Sequence, residues 1–245
     1  MSHPAFKLMI VGRRRAGTTL ADHHHHILNV HGALVAKYIA LDPIHAPKRY
    51  AQNRVVDGSF RQGGPAGDPF ALNRDFVTEI WFNDPAEAMN SVQQPFYLEQ
   101  LRSDEDRFVD QASVVKLAVK ERAVVAPTKR AGSIKLFSFF TKSPSVDALR
   151  FLQAWRECSE AFANSEAGRR CLGQVQNEVL HRPGDTAWVD AVDEYWVADL
   201  DAAYNLALAV QSSMVAPLLA AGLVSGPSHV TLLAEEAVLH QGITP

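Results

Sequence analysis

The sequence predicts an α+β fold made of two ferredoxin-like β-α-β-β-α-β repeats whose antiparallel sheets form one intrachain α/β barrel. Patterns typical of strands and helices follow in this order over residues 1–122. The same order returns over residues 133–245, after a linker at 123–132. The first strand of each repeat is apolar at successive positions, which indicates that both of its faces are buried.

The first repeat begins with an apolar strand that ends at Gly12. Its first helix starts near Thr18 or Thr19, since either residue can cap it. Its second helix starts at Pro85 behind the cap residue Asp84 and continues to about Leu101. The strands predicted here are residues 6–11, 49–56, 76–82 and 113–119.

The second repeat restates these elements. Gln176-Asn177 repeats Gln52-Asn53 in the second strand, and Glu194-Tyr195-Trp196 repeats Glu79-Ile80-Trp81 in the third. The predicted helices are residues 145–163 and 199–221, and the last predicted strand is 229–233. Residues 133–137, 173–179 and 194–199 restate segments of the first three strands of the first repeat, the last of them ending at the residue that opens the helix. A lone four-stranded sheet would leave one face bare, so we expect the two sheets to pack into a barrel whose interior can hold a small ligand.

Composition limits the kinds of partner. The chain has 245 residues, of which 47% are hydrophobic and 21% charged, and a formal net charge of -3. This charge argues against nucleic acid or an anionic membrane as the main partner. The N-terminal apolar run is too short for a signal peptide or a membrane span. Cys158 and Cys171 are then expected to be reduced thiols, and the protein to be cytoplasmic.

His31 is the leading candidate for chemistry. The apolar residues around it recur at steps of three and four, so the imidazole lies in the buried stripe of the first helix. It is predicted either to move a proton or to be a core histidine bonded to a carbonyl group. The run His23 to His26 could be a remnant of a purification tag or part of a metal or haem site, but a zinc site would need ligands from elsewhere. We therefore expect no metal.

Four segments carry a family resemblance. They are Asn29-Val30-His31-Gly32-Ala33-Leu34 in the first helix, Tyr50-x-Gln52-Asn53 in the second strand, Glu79-Ile80-Trp81-Phe82 in the third, and Phe108-Val109-Asp110 before the fourth. In this order the chain resembles the EthD family of the dimeric α/β-barrel superfamily, in a tandem form. The resemblance implies proteins of degradation operons without a settled role, or polyketide-tailoring decarboxylases and dehydratases that need no cofactor. The wider superfamily also holds lactone isomerases, monooxygenases and haem enzymes.

The two repeats differ in their chemistry. The family pattern has Trp-Arg before Asn-Val-His, whereas this chain has Ile27-Leu28 there and keeps Trp155-Arg156 in the second repeat. The offset of 128 residues between the first-strand lysines leads from His31 to Ser159. We therefore predict one active centre, in the first repeat's half of the barrel cavity, with the second repeat as its other wall.

The candidate site residues follow from proton-transfer chemistry, because the sequence shows neither a phosphate-binding glycine loop nor a Gly-x-Ser-x-Gly elbow. No cofactor is expected. His31 would be the general acid or base, Tyr50 or Tyr195 would exchange a proton with a phenol, and Asn53 would stabilise an enolate. Substrate contacts are predicted from Arg54, Glu79, Trp81, Asn177, Trp188 and Trp196. Arg13 to Arg15 are alternatives to Arg54 for holding a carboxylate.

The leading hypothesis is a cofactor-independent lyase, most simply a decarboxylase of a small aromatic or polyketide-like acid. The alternatives are a non-catalytic carrier of a hydrophobic metabolite, a dehydratase or isomerase, and a cofactor-independent monooxygenase. A homodimer is compatible with the sequence. The glycine- and proline-rich residues 57–74 are predicted to be either a lid over the site or a disordered insertion.

Overall fold

The computed structural model describes residues 6–62, 66–128, 130–182, 186–226 and 229–241. Its strands are β1 (Phe6–Gly12), β2 (Arg49–Ser59), β3 (Phe76–Phe82), β4 (Val115–Val125), β5 (Ile134–Phe140), β6 (Gly173–Val179), β7 (Ala191–Val197) and β8 (Val230–His240). Its helices are α1 (Leu20–His25), α2 (Gly32–Leu41), α3 (Pro85–Ser91), α4 (Arg102–Phe108), α5 (Ala148–Ala163), α6 (Leu200–Val210) and α7 (Ala216–Ala220). π-helical turns at His26–His31, Tyr97–Leu101 and Gln211–Val215 precede α2, α4 and α7.

Each repeat forms a four-stranded antiparallel sheet. In the first repeat β1 pairs with β3 and β4, and β3 pairs with β2. In the second repeat β5 pairs with β7 and β8, and β7 pairs with β6. Hydrogen bonding connects the strands in the closed order β1-β3-β2-β8-β5-β7-β6-β4. The predicted α+β barrel of two β-α-β-β-α-β repeats is therefore confirmed.

Two compact units divide the chain. Among the described residues, the first unit contains 6–54, 74–119 and 236–241, and the second contains 55–73 and 120–235. Strands β2, β4 and β8 each contribute residues to both units. The predicted linker begins as strand, because β4 continues to Val125.

The first helix begins where the sequence predicts. Thr19 caps α1 by accepting a hydrogen bond from the Asp22 backbone N–H at 3.1 Å, and the Asp22 carboxylate accepts one from the Thr19 N–H at 3.3 Å. This pair satisfies two backbone donors that a helix start leaves free. The buried face that follows carries Ile27, His31, Val35 and Tyr38. The predicted apolar stripe with a histidine inside it is confirmed.

The second helix of the first repeat was predicted to be continuous to Leu101, and this prediction is wrong. Helix α3 ends at Ser91 and a turn follows. The physical reason is Pro95, which has no N–H to donate to the Ser91 carbonyl and whose ring clashes with that carbonyl in a regular helix. In the second repeat, helical structure runs without a break from Leu200 to Ala220.

That unbroken helix is apolar enough, by length and composition, to cross a membrane, with a mean hydropathy of 1.3 over its most apolar window. Its buried residues nevertheless follow helical spacing, as expected for a helix with one face on a sheet. They include Leu206, Val210 and Met214, which pack in the core cluster of the second unit with Trp155 and Phe162. The helix is thus a core helix of a globular domain.

The loop predicted at residues 57–74 is shorter than expected, because β2 continues to Ser59. Residues 63–65 lie outside the described residues. Arg61 is buried and forms an ion pair with Asp68 at 3.3 Å. Phe70 is also buried, with its ring 5.5 Å from that of Phe139. The described part of this loop is therefore anchored in the core of the second unit.

Candidate active site

A cavity of about 230 Å³ lies between the sheet and the helices of the first repeat. Alternate residues of a strand face opposite sides of a sheet, and the cavity is lined by Leu8 and Ile10 of β1 and by Thr78 and Ile80 of β3. Its helical wall includes His31, Val35, Tyr97 and Leu101.

This position corrects two predictions. The cavity lies on the helix side of the sheet rather than inside the barrel, because helix α2 packs on the face that carries Leu8. Among the described residues, those that line it all fall between Leu8 and Lys116, so no described residue of the second repeat forms its other wall. No described residue of the 57–74 loop lines it, and the lid stays a prediction because residues 63–65 lie outside the described residues.

His31 is held by a carboxylate that the sequence analysis missed. The Nδ1 atom of His31 lies 3.1 Å from Oδ2 of Asp104, and the Nε2 atom of His26 lies 2.9 Å from Oδ1 of the same group. Both His31 and Asp104 are buried. Each oxygen of one carboxylate therefore engages one imidazole.

The π-helical turn at His26–His31 explains how two histidines five residues apart reach one carboxylate. In a regular α-helix, residues with this separation are rotated by about 140° from each other. In a π-helical turn the N–H of residue i+5 bonds to the carbonyl of residue i, which brings such residues to the same side. The Gln52 side chain supports the turn, because its Nε2 donates to the Ile27 carbonyl at 2.6 Å.

The Asp104 carboxyl is ionised at neutral pH. Burial raises its pKa, but hydrogen bonds from His31 and His26 outweigh burial and lower it. An ionised carboxylate only accepts hydrogen bonds, so the His31 nitrogen that faces it, Nδ1, carries a proton. In neutral His31 the other nitrogen, Nε2, then has a free lone pair, and no described residue hydrogen-bonds to it. This tautomer suits a general base.

Aromatic packing holds the His31–Asp104 dyad, the pair joined by the bond between Nδ1 and Oδ2, in place. The Phe108 ring stacks on His26 at 4.7 Å and contacts His31 at 5.1 Å. His23 supports Phe108 from behind, because its Nδ1–H donates to the Phe108 carbonyl at 3.2 Å. Burial lowers the pKa of His23 to about 4, so this imidazole is neutral at physiological pH. Of the predicted histidine run, His23 and His26 therefore serve the site as supports.

The cavity wall has a second cluster of polar side chains, which includes the phenols of Tyr50 and Tyr97. The Tyr97 hydroxyl donates to Oε1 of Glu105 at 3.0 Å. Burial raises the pKa of Tyr50 to about 12, and burial also raises the pKa of Tyr97. Both phenols are therefore neutral at physiological pH and can exchange hydrogen bonds with a ligand. Tyr50 is the one other predicted catalytic residue that shares the cavity with His31.

Asn53, Glu79 and Trp81 are on the opposite face of the same sheet. Glu79 forms a buried ion pair with Lys7 at 2.7 Å and accepts a hydrogen bond from Asn53 Nδ2 at 2.8 Å. The Lys7 ammonium also lies 4.9 Å from the centre of the Trp81 ring. Strand register puts these three residues on the side of the sheet opposite to the His31 cavity, so they do not line it.

The second repeat builds the same arrangement from its own residues. Lys135 pairs with Glu194 at 2.5 Å, Asn177 Nδ2 donates to Glu194 at 2.7 Å, and the Lys135 ammonium lies 4.4 Å from the Trp196 ring centre. The two repeats are therefore alike in these side-chain contacts as well as in sequence. Asn177 and Trp196 do not line the cavity with His31.

Three further predicted residues also lie away from the cavity. Tyr195 is buried in the core of the second unit, where its hydroxyl donates to the Met214 sulfur at 3.0 Å. Trp188 uses its backbone carbonyl to accept from Arg61 at 2.6 Å. Arg54 is half-buried on β2 and does not line the cavity.

The second repeat has a filled polar network where the first has His31. Ser159, the counterpart of His31, donates to Asp193 Oδ1 at 3.0 Å, and Trp155 Nε1 donates to the other oxygen at 2.9 Å. Gln174 Nε2 donates to Ser159 Oγ at 2.7 Å. These side chains are buried and hydrogen-bond to one another, and Gln174 Oε1 has no hydrogen-bond partner among the described residues.

Asp104 could have been found by helical spacing. Leu101, Asp104 and Phe108 recur at steps of three and four, so the carboxylate shares a buried face with two apolar residues. A buried acid of this kind needs a partner. Within the described residues, no group of three or more histidine, cysteine, aspartate or glutamate side chains is arranged to hold a metal ion.

Comparisons with known proteins relate the chain to a family and a fold. Residues 15–112 match the EthD domain family. No curated protein sequence matches the chain. A structure from Fusobacterium nucleatum subsp. nucleatum ATCC 25586, named as a candidate monooxygenase, is 8% identical with a TM-score of 0.54, over 100% of this chain and 98% of that one.

Two further structures are similar. One, named as an anthrone oxidase-like protein, is 9% identical with a TM-score of 0.54, over 99% of this chain and 97% of that one. The other, named as a candidate chlorite dismutase, is 8% identical with a TM-score of 0.54, over 96% of both chains. At such low identity these likenesses show the fold alone, which is a scaffold that enzymes use.

Proposed function

We propose that the EthD domain of this chain, matched over residues 15–112, is the active site of a cofactor-independent lyase that decarboxylates a small aromatic or polyketide-like acid. One observation carries the proposal. The imidazole of His31 lines a cavity while its Nδ1 is bound to the buried carboxylate of Asp104. A carboxylate that orients a histidine and stabilises its charged form is a recurrent device of general acid–base catalysis.

In the proposed reaction, the bond between the carboxylate and an activated carbon breaks and CO₂ leaves. The electron pair stays on the carbon, where a neighbouring carbonyl or phenol delocalises it. Protonated His31 then delivers its Nε2 proton to that carbon, and Asp104 stabilises the imidazolium before this transfer. Solvent returns one proton to His31 for each CO₂ released, so the reaction needs no electron donor or acceptor.

The walls of the cavity support an aromatic substrate. They are mainly apolar, and their phenols Tyr50 and Tyr97 are neutral and can bond to substrate oxygens. Because the Tyr97 hydroxyl already donates to Glu105, its oxygen is available to accept a hydrogen bond from a substrate hydroxyl. A volume of about 230 Å³ suits a compound of about one or two fused rings.

A second candidate function uses the same dyad. Neutral His31 would remove a proton from an activated CH₂ carbon, and the carbanion would give its electrons to O₂ to form a hydroperoxide at that carbon. Cleavage of the O–O bond with loss of the remaining C–H proton would then leave a carbonyl group and release the second oxygen atom as water. The names of two structures of similar fold, a candidate monooxygenase and an anthrone oxidase-like protein, favour keeping this alternative. A non-catalytic carrier would use the cavity without the proton transfer.

The experiment incubates the purified protein with hydroxynaphthoates and aryl β-oxo acids, in air and under argon. Released CO₂ and product mass are measured. We expect CO₂ release that is independent of O₂ and is lost in His31→Gln. A product that gains oxygen only in air would replace the lyase by a monooxygenase. Tight binding of a tested compound without formation of any product would support the non-catalytic carrier and contradict the lyase.

The proposed setting is the cytoplasm. Cys158 and Cys171 are free thiols, which fits a reducing compartment. Burial raises the pKa of Cys171 to about 11, so this thiol is protonated at physiological pH. Leu149 and Leu208 expose large apolar side chains, at 77% and 71%, which is compatible with the proposed homodimer. Sedimentation equilibrium of the wild-type protein and of Leu208→Lys tests that assembly.

A further inference from the structure

Helix α3 breaks beside the cavity, and the break is built into the sequence. Pro95 removes the donor that the Ser91 carbonyl would have in a continuous helix. The Tyr38 hydroxyl donates to that carbonyl instead, at 2.9 Å, and Gln94 N donates to it at 3.4 Å. The Tyr38 ring stacks on Phe96, directly after the proline, with a centroid distance of 5.6 Å and an interplanar angle of 8°. The gap between the two helical segments is therefore stabilised rather than frayed.

The cavity extends along both sides of this break. Ala88, Ser91 and Val92 line it before the break, and Tyr97 and Leu101 line it afterwards. Val92 is 38% exposed and also lines the cavity, so its side chain separates the cavity from solvent. The second repeat has no such break over Leu200 to Ala220, and Leu206, Val210 and Met214 of that helix pack in the core cluster.

Exposed apolar side chains flank the break, which itself contains Val92 followed by the polar residues Gln93 and Gln94. Met89, one turn before Val92, is 62% exposed, and Leu98, after the break, is 50% exposed. Each follows directly in the chain on a residue that lines the cavity, Ala88 or Tyr97. Exposed apolar side chains next to a cavity wall favour contact with an apolar ligand before it enters. The cavity wall also reaches solvent at Gln111 and Lys116, where the rim is polar.

We propose that an apolar ligand enters the first-repeat cavity through the helix break at residues 92–94, and that Val92 sets the width of this entrance. This inference goes beyond the proposed function and does not depend on which reaction takes place, because it concerns access alone. It makes Val92 a residue that limits ligand size without touching the His31–Asp104 dyad. Tyr38 and Pro95 are then positioning residues that keep the entrance open.

The test measures access with a small reagent. Val35 is buried in the cavity wall, so Val35→Cys, made with Cys158→Ser and Cys171→Ser, places one thiol inside. The rate of its reaction with methyl methanethiosulfonate is followed by mass spectrometry in the full chain. Val92→Trp, Val92→Ala and Lys116→Trp are each added to this background. Lys116→Trp is the matched control, because it adds the same ring at the polar rim.

We expect Val92→Trp to slow labelling about tenfold or more, as a narrowed gate does, and Val92→Ala to accelerate it. Lys116→Trp should leave the rate within about twofold of the background. Slower labelling in Lys116→Trp with an unchanged rate in Val92→Trp would overturn the proposal in favour of the polar rim. Equal rates in all variants, or a thiol that reacts only on global unfolding, would also overturn it. Catalysis is not measured, so failure of the lyase proposal does not affect these outcomes.

Discussion

The carboxylate of Asp104 is shared between two imidazoles, with Oδ2 at 3.1 Å from His31 Nδ1 and Oδ1 at 2.9 Å from His26 Nε2. His26 lies at the edge of the site, whereas His31 lines the cavity. The shared group therefore links a solvent-accessible imidazole to a buried one. It also fixes the tautomer of His31, so the charge on Asp104 decides what His31 can do.

We predict that Asp104→Asn lowers kcat by about 100-fold or more, because the amide loses the charge that stabilises the imidazolium. The overall shape of the side chain is retained, so the melting temperature should fall only moderately. Steady-state kinetics measures the effect, with whichever of the hydroxynaphthoates and aryl β-oxo acids the wild type converts. Asp106→Asn is the matched control, since Asp106 is exposed on the same helix and pairs with Arg102. Equal activity of the two variants would show that Asp104 has no catalytic role.

We predict a pH-dependent difference in stability between the wild type and Asp193→Asn. Burial raises the pKa of Asp193 to about 7, although hydrogen bonds from Trp155 and Ser159 oppose the rise. The wild type therefore has the full contribution of this group below the ordinary carboxyl pKa of about 3.9 and loses it as pH rises through the raised pKa. Asn is neutral at every pH, so the free energy of unfolding of the variant should rise relative to that of the wild type as pH increases from about 3.9 to about 7.

Urea unfolding at about pH 5 and about pH 8 measures this difference. The buried His23 and His229, whose pKa values are lowered to about 4 by burial, are common to both proteins and cancel. Asp201→Asn, at an exposed position on α6, is the control and should show a constant difference. A constant difference for Asp193→Asn as well would contradict the raised pKa.

We predict that the Lys7–Glu79 pair is structural. Both groups are buried and 2.7 Å apart, so Glu79→Leu alone removes the anion nearest to a buried ammonium and should cost about 3–5 kcal/mol. The double variant Lys7→Met, Glu79→Leu should cost less than the sum of the single variants, because apolar side chains then replace the pair. Unfolding free energies of the four proteins give the coupling energy. Additive costs would show that the two charges do not stabilise each other.

We predict that Tyr38→Phe destabilises the protein by about 1 kcal/mol, because the Ser91 carbonyl loses the phenol donor that replaces the N–H missing at Pro95. Thermal unfolding measures the change. Tyr204→Phe is the control, since its hydroxyl bonds to Asp57 at the exposed surface. It should change stability by less than about 0.5 kcal/mol. A loss for Tyr38→Phe no larger than that for Tyr204→Phe would show that the Tyr38 hydroxyl does not stabilise the helix break.

Local patterns predicted the elements and their repetition well. The period of the apolar residues in the first helix placed Ile27, His31, Val35 and Tyr38 on one buried face, and the cap residues Thr19 and Asp84 were among those the sequence offers. Such features depend on neighbours a few residues apart, which a sequence displays directly. The Pro95 break was also visible in the sequence, and its omission led to the one wrong helix.

Sequence patterns did not reveal which face of a strand lines the cavity. Asn53, Glu79 and Trp81 alternate with Tyr50, Thr78 and Ile80, and nearly all are buried, so hydrophobicity does not tell the sides apart. The contact between His31 and Asp104 joins residues 73 positions apart and depends on a π-helical turn. Only the packing of α4 against that turn brings them together.

The most direct test of the account compares His31→Gln with the wild type in three measurements, which are turnover, melting temperature and ligand affinity. Gln can replace one hydrogen bond to Asp104 but cannot carry a proton at neutral pH. The account predicts that turnover falls by about 100-fold or more, while melting temperature and affinity stay close to wild type. Unchanged turnover in a folded protein that binds the ligand would contradict the central claim that His31 moves the proton.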